Sequence, residues 1–373
     1  MAGRRMPRVL MTADTVGGVW TYAVELAHEL ESRGVRVAIA SMGAPLAPHQ
    51  REAFAGSRRI TLFESAYRLE WMRDCVADVE ATGEWLLELE RDFQPDIVHL
   101  NQYAFGGLPF TAPTLVVAHS CVLSWWRAVR GEAAPAEWDT YRRWVRQGLA
   151  GAGLVAAPTS AMLQSLAVNY GYRRAGLVLP NAASGQDFAP ARKQHVVLAA
   201  GRFWDAAKNL AALERVAPAL SWPVKVAGAC THPDGGTLVP QGVECLGELP
   251  RAALAHELAT AAIYALPARY EPFGLSVLEA ALSGCALVLG DIPSLRETWG
   301  EAASYVPPDD HAALLGMLQH LIEQPAERSR LSQAALARAR HFTPARQCDG
   351  YLNAYARLAP RFTPAKTEES ACA

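Results

Sequence analysis

Residues 269–280 read RYEPFGLSVLEA and place two carboxylates, Glu271 and Glu279, eight positions apart around a Pro-Phe-Gly segment. On one continuous helix that spacing would separate them by about 12 Å along the axis. The Pro-Phe-Gly segment argues instead that Glu271 precedes the helix and Glu279 lies inside it. The chain can then fold back so that both face one ligand near a helix N-terminus. The N–H groups of Phe273, Gly274 and Leu275 would open to the same place. Carboxylates presented this way accept paired hydrogen bonds from diols such as sugar hydroxyls. A purely local reading competes: Ser276 and Glu279 have the spacing of a capping box, which would make Glu279 a helix-start residue with no ligand.

Three other stretches carry chemistry. GRFWDAAKNL (201–210) sets Arg202 just after a strand and Lys208 near the start of the next helix. A forked guanidinium and a point-charge ammonium at that place suit a diphosphate, although Arg and Lys more often form a solvated surface pair. Only four of the 35 basic residues are lysines, which singles out Lys208. DTVGGVW (14–20) runs from a strand through Gly17 and Gly18 into an amphipathic helix. That is either a plain tight turn or a place where backbone approaches an anion closely. His119 closes VVAHS (116–120), in a structural or a catalytic role. Trp125 and Trp126 follow with Arg127 and Arg130, as an acceptor platform, a membrane-facing loop or a buried aromatic pair.

These residues sit at the ends of repeated strand–helix units. Continuous apolar runs such as RVLMTAD (8–14), VRVAIAS (35–41), DIVHLN (96–101) and TLVVAHS (114–120) read as parallel strands covered on both faces. Helices are expected over 18–32, near 71–92 and near 135–150. The polar, Pro- and Gly-bearing stretch 179–194 reads as a linker. A second series follows: HVVLAAG (195–201), PVKVAGA (223–229), VECLGEL (243–249), AIYALPA (262–268) and CALVLGDI (285–292), with helices between them and beyond. The pattern predicts two Rossmann-like, doubly wound parallel-sheet domains facing a central cleft. They span 1–185 and 192–342, with a last helix over 343–358 and a disordered tail over 359–373. Such sheets bind ligands at the carboxyl ends of their strands, so two facing ends make a site for two substrates.

Composition removes several alternatives. A net charge of −2 lacks the basic excess of a nucleic-acid binder. Neither G-x-G-x-x-G nor a P-loop occurs, and no Cys/His cluster has metal-ligand spacing. No apolar run approaches the 18 residues of a membrane span. The seven scattered cysteines, free of C-x-x-C, fit a reducing, cytoplasmic setting, with peripheral contact at the inner membrane face left open.

In this order and spacing the four stretches resemble the retaining glycosyltransferases of family 4, the group-1 type with the GT-B fold. The resemblance is strongest over 195–345, through GRFWDAAKNL, YEPFGLSVLEAALSGCALVLGDIPSLRE and AASYVPPDD, whose Glu271 and Glu279 form the E-x7-E signature. It is looser over GGVWTYAVELA, PDIVHLN, AHS and LPN. It implies that the second domain binds a nucleoside-diphosphate sugar and the first an acceptor hydroxyl. Arg202 and Lys208 would hold the diphosphate, Glu271 and His119 the donor sugar, and Glu279 the ribose. Gly17 and Gly18 would approach the phosphates across the cleft, and the base would lie near Leu246 and Gly247. No metal or other cofactor is implied, and the last helix would cross back to the first domain. Ser120 stands where many relatives have an acidic residue, and Ala182 where many have glycine, so acceptor identity does not transfer. An epimerase or glycosyl phosphorylase on the same fold, or a silent nucleotide-sugar-binding protein, are the rival expectations.

Overall fold

The computed structural model describes residues 5–233 and 235–362. The first domain is a seven-stranded sheet with the order β3-β2-β1-β4-β5-β6-β7. The strands are β1 (Arg8–Asp14), β2 (Arg36–Met42), β3 (Ile60–Glu64), β4 (Ile97–Leu100), β5 (Thr114–Val117), β6 (Leu154–Ala157) and β7 (Leu177–Val178). The second is a six-stranded sheet, β10-β9-β8-β11-β12-β13. It is built from β8 (Gln194–Ala200), β9 (Val224–Ala227), β10 (Glu244–Gly247), β11 (Ala261–Leu266), β12 (Ala286–Gly290) and β13 (Ser304–Val306). Every named pairing is parallel. The central strands are buried residue after residue, as their unbroken apolar sequences require. Each sheet has a core on both faces, so each domain is a three-layer sandwich. Among the described residues no helix is long and apolar enough to cross a membrane.

Several elements differ from the sequence expectation. The helix expected near 71–92 begins only at Val76, and 65–75 is a loop that reaches the cleft. Helices Val122–Arg130 and Ser160–Tyr170, and the short strand β7, had no clear signal. The stretch 179–194 is packed rather than loose: Ala182, Ala183 and Phe188 are buried, and Lys193 Nζ donates to the carbonyls of Ala259 and Ser283 at 2.9 and 2.6 Å.

The last helix, Pro344–Leu358, lies on the first domain. Its Cys348, Tyr351 and Tyr355 are buried with Trp20, Tyr22 and Leu26 of helix Gly18–Ser32. Arg33 pairs with Asp349 at 2.8 Å on the rim of that contact. Of the tail expected to be disordered, residues 363–373 lie outside the described residues, whereas Phe362 is buried, its ring 5.2 Å from that of Tyr355. One buried hydrogen bond stands out here: Tyr355 OH meets His99 Nδ1 at 2.6 Å. Tyr355→Phe leaves that nitrogen buried without a partner. We expect it to cost about 1–3 kcal/mol of stability in urea unfolding, as an orphaned buried polar group does.

Candidate active site

The two sheets point their carboxyl ends at one another, and residues from those ends meet directly. The Glu271 loop is held from the first domain on both sides. Before Glu271, Tyr270 OH accepts from Cys121 N at 3.0 Å. After it, Pro272 O accepts from Thr159 Oγ1 at 3.0 Å. Ser294 Oγ donates to the carbonyl of Glu271 itself. The loop then turns into helix Leu275–Leu282 through Gly274, whose φ of 89° lies in the left-handed region that glycine tolerates.

Gly274, not Ser276, is the N-cap of that helix, and no side chain caps it. The capping-box reading of Ser276 and Glu279 therefore fails. The Ser276 hydroxyl is instead bonded to Tyr264 OH at 2.8 Å. Glu279 is buried on the helix, and its carboxylate makes no hydrogen bond among the described residues. Burial pushes it up to about 7, against the pull of the nearby Arg251 and with further push from Glu25 and Asp187. Phe273 contributes no side chain to the cleft, because its ring packs edge-on against Phe342 at 5.5 Å in the core.

Lys208 and Glu271 form an ion pair in which both side chains are nearly nine-tenths buried. This is not a solvated surface pair, and a buried ion pair is weak as a device for stability. Lys208 ends a short turn of 3-10 helix, and Asn209 behind it holds a left-handed backbone with φ of 58°. Asn209 Nδ2 donates to Pro267 O at 2.9 Å and Pro308 O at 2.7 Å, locking the turn to the ends of β11 and β13. Arg202 extends across the cleft: its Nη1 lies 3.4 Å from Val16 O of the first domain. Its guanidinium carbon sits 5.2 Å from the centroid of the Trp204 ring.

The glycine pair is what permits this approach. A Cβ on Gly17, whose φ is 104°, would stand 3.0 Å from Arg202 Nη1. On Gly18 it would stand 3.2 Å from Leu275 Cδ1. The two glycines thus meet Arg202 and Leu275 of the facing domain. Beside them Asp14 and Glu70 are buried acids, each raised to about 7, chiefly by desolvation. Glu70 accepts from the N–H groups of Tyr103 and Ala104 at 3.1 and 2.6 Å.

His119 follows β5 and lines the same cleft. Its Nε2 is 2.8 Å from Asn101 Oδ1. Asn101 Nδ2 donates to Thr12 O at 2.6 Å, so Oδ1 is the acceptor and His119 Nε2 carries the proton. Nδ1 is left as an acceptor. Protein packed around the ring drives its pKa down to about 3, so the imidazole is neutral. The edge-on Tyr22 ring, 4.4 Å away, fixes its plane. Trp125 is half-buried and neither a bare platform nor a core residue: its Nε1 donates across the cleft to Asp205 Oδ1 at 2.7 Å. Leu246 and Gly247 lie farther out, at the end of edge strand β10, where Gly247 O accepts from Gly228 N at 2.7 Å.

The structure therefore sets Lys208 against Glu271, Arg202 against Gly17 and Leu275 against Gly18, with His119 on the first domain and Glu279 one helix turn inward. Asn101, Asn209, Thr159, Tyr270 and the Trp125–Asp205 bridge were not legible as site residues. An asparagine directly after a lysine at a helix start was the one available hint, since Asn tolerates the left-handed backbone. Among the described residues no group of three His, Cys, Asp or Glu side chains is placed to hold a metal ion.

Comparison with known proteins agrees with this architecture. Residues 16–183 match the model of Glycosyltransferase Family 4, and residues 194–324 match that of Glycosyl transferases group 1. Phosphatidyl-myo-inositol mannosyltransferase of Mycobacterium leprae is 24% identical over 361 residues, covering 88% of this chain and 90% of the relative. Over shorter stretches the chain is 29% to 36% identical to further curated relatives, of whose length it spans 30% or less. Two solved structures share the fold along nearly the whole chain. Sucrose-phosphate synthase of Thermosynechococcus elongatus superposes with a TM-score of 0.77 at 17% identity, covering 95% of this chain and 99% of that one. HepE of Anabaena in complex with UDP-glucose superposes with a TM-score of 0.70 at 14% identity, covering 94% and 99%. With both domains matched in order and the two-sheet GT-B fold in place, the chain belongs to the group 1 glycosyltransferases of family 4.

Proposed function

We propose that this chain transfers a sugar from a nucleoside-diphosphate sugar to an acceptor hydroxyl, with retention of anomeric configuration. The observation that carries the reading is the buried Lys208–Glu271 pair beside Arg202, at the meeting point of two sheets. Lys208 and Glu271 neutralise one another across the pair. A donor placed there gives Lys208 a diphosphate to hold and leaves Glu271 against the sugar. That HepE is solved with UDP-glucose supports a donor of this class.

In this mechanism the bond between the anomeric carbon and the diphosphate oxygen breaks. The acceptor oxygen forms its bond on the same face, and its proton passes to the departing diphosphate. Charge accumulates on that leaving group, so Arg202 and Lys208 supply the main stabilisation, in the place that a metal ion fills in other enzymes. Glu271 faces the positive charge that develops on the sugar ring. His119 Nδ1 accepts from a sugar hydroxyl, and Glu279 accepts from the ribose diol. The base lies toward Leu246 and Gly247. The acceptor enters from the first domain, past Asp14 and Glu70, and is a saccharide, a lipid-linked sugar or a small alcohol.

Glu279 gives this reading a pH signature. Two hydroxyls need an ionised carboxylate, and burial holds Glu279 at about 7. Below that value the acid form prevails and the double acceptor is lost. We therefore expect donor affinity to fall as pH drops from 8 to 6, and Glu279→Gln to flatten that dependence. Calorimetric titration of nucleotide sugars across this range checks it. A pH-independent affinity in the wild type would count against a ribose contact at Glu279.

A further inference from the structure

One charged cluster lies outside the reacting centre and joins the two domains. Arg251 opens helix Arg251–Thr260 of the second domain. Its Nη2 donates to Glu25 Oε1 at 2.7 Å, on helix Gly18–Ser32 of the first domain. Its Nε and Nη2 also donate to Asp187 Oδ2 of the linker, at 3.2 and 2.9 Å. The guanidinium lies 5.1 Å from the centroid of the buried Phe188 ring. Glu25 is largely enclosed, with a side-chain exposure of 13%, and its second oxygen, Oε2, is buried with no partner. One guanidinium therefore ties its own helix to two other segments, the first domain and the linker, and the Glu25 carboxylate is only half satisfied.

The same cluster acts on Glu279 electrostatically. The charged groups that face it are Arg251 from the neighbouring helix, Glu25 from the first domain and Asp187 from the linker, with the Tyr264 phenol on the sheet beneath. Arg251 lowers the Glu279 pKa and Glu25 raises it, so moving Glu25 alters the charge state of Glu279.

We propose that Arg251 is a positioning residue: it latches the first domain to the second through Glu25, next to the helix that carries Glu279. Opening the cleft removes Glu25 and leaves Arg251 to Asp187. Closing it brings Glu25 back. Donor binding and domain closure are linked through one guanidinium, and by reciprocity whatever favours one favours the other. The part of this that concerns the donor rests on the proposed ribose contact at Glu279.

Two substitutions separate the latch from ordinary structural support, because they share one effect and oppose in another. Glu25→Gln and Arg251→Ala both break the charged bridge between domains. Glu25→Gln removes a negative neighbour of Glu279, whereas Arg251→Ala removes its positive neighbour. UDP, GDP and ADP are each titrated calorimetrically into the wild type and both variants from pH 6 to 8.5. Both variants are expected to bind about tenfold more weakly at pH 8, the value of one charge-assisted hydrogen bond. The pH midpoint of binding should move down in Glu25→Gln and up in Arg251→Ala, and Arg251→Lys should restore it toward wild type. Wild-type affinities in both variants, or midpoints that move in the same direction, would overturn the proposal. If none of the three diphosphates binds the wild type, the donor reading fails instead. The latch is then judged by small-angle scattering of the ligand-free chains, where Glu25→Gln should have a larger radius of gyration than wild type and equal radii would refute it.

Discussion

Lys208→Ala should retain its fold and lose about a thousandfold in turnover of its nucleotide sugar. The magnitude is that of deleting one preorganised charge donor at an atom where charge develops. Loss of the Lys208 side chain leaves the buried Glu271 carboxylate without its partner and lowers stability, but the surrounding supports remain. Its turn is held by Asn209, whose amide bonds to Pro267 O and Pro308 O survive the change. The variant also loses diphosphate affinity, because the cation that holds the leaving group is present in the ground state as well. Circular dichroism and a urea transition verify the fold, and steady-state kinetics with the preferred donor measures the loss. Turnover within tenfold of wild type would show that Lys208 does not stabilise the leaving group.

Glu271→Gln should show the opposite partition. The amide keeps the shape of the side chain, and the loop remains anchored by Tyr270 to Cys121, by Pro272 to Thr159 and by Ser294 to the Glu271 carbonyl. The lost charge is the one that faces the sugar, so kcat should fall by about a hundredfold. Lys208, freed from its partner, has only the diphosphate to pair with, and nucleoside diphosphate should bind at least as tightly as in the wild type. A fall in kcat with unchanged or improved diphosphate affinity is the expected result. Parallel losses in both would assign Glu271 to holding the loop rather than to the reaction.

Much of the architecture was legible because buried parallel strands leave unbroken apolar runs, and 8–14, 195–201 and 262–268 all fall on central strands. The elements that escaped have physical reasons. Helix Val122–Arg130 is capped by Cys121, whose Sγ accepts from Ser124 N, and a thiol is not a recognisable cap. Strand β7 is two residues long. The capping-box pattern at Ser276 misled because tertiary contact decided otherwise: Tyr264 takes the serine hydroxyl, and glycine starts the helix.

The reacting centre was visible as residue types in a familiar order, since Arg202, Lys208, Glu271 and Glu279 sit in short local patterns. What sequence could not give is the way these pieces are clamped. Trp125 to Asp205, Thr159 to Pro272 and Glu25 to Arg251 are separated by 80, 113 and 226 positions. Such pairs exist only once two sheets face each other, and nothing local marks either partner. The same holds for the burial that raises Glu279 and neutralises His119, because desolvation belongs to the folded cleft and not to the peptide.

The most direct test of the central claim is proton NMR of the purified chain with UDP-, GDP- and ADP-linked hexoses and a panel of sugar and alcohol acceptors. The account predicts that one donor yields free nucleoside diphosphate together with a product whose anomeric configuration at first appearance matches that of the donor. A first product of inverted configuration, or no release of diphosphate from any donor, would contradict it.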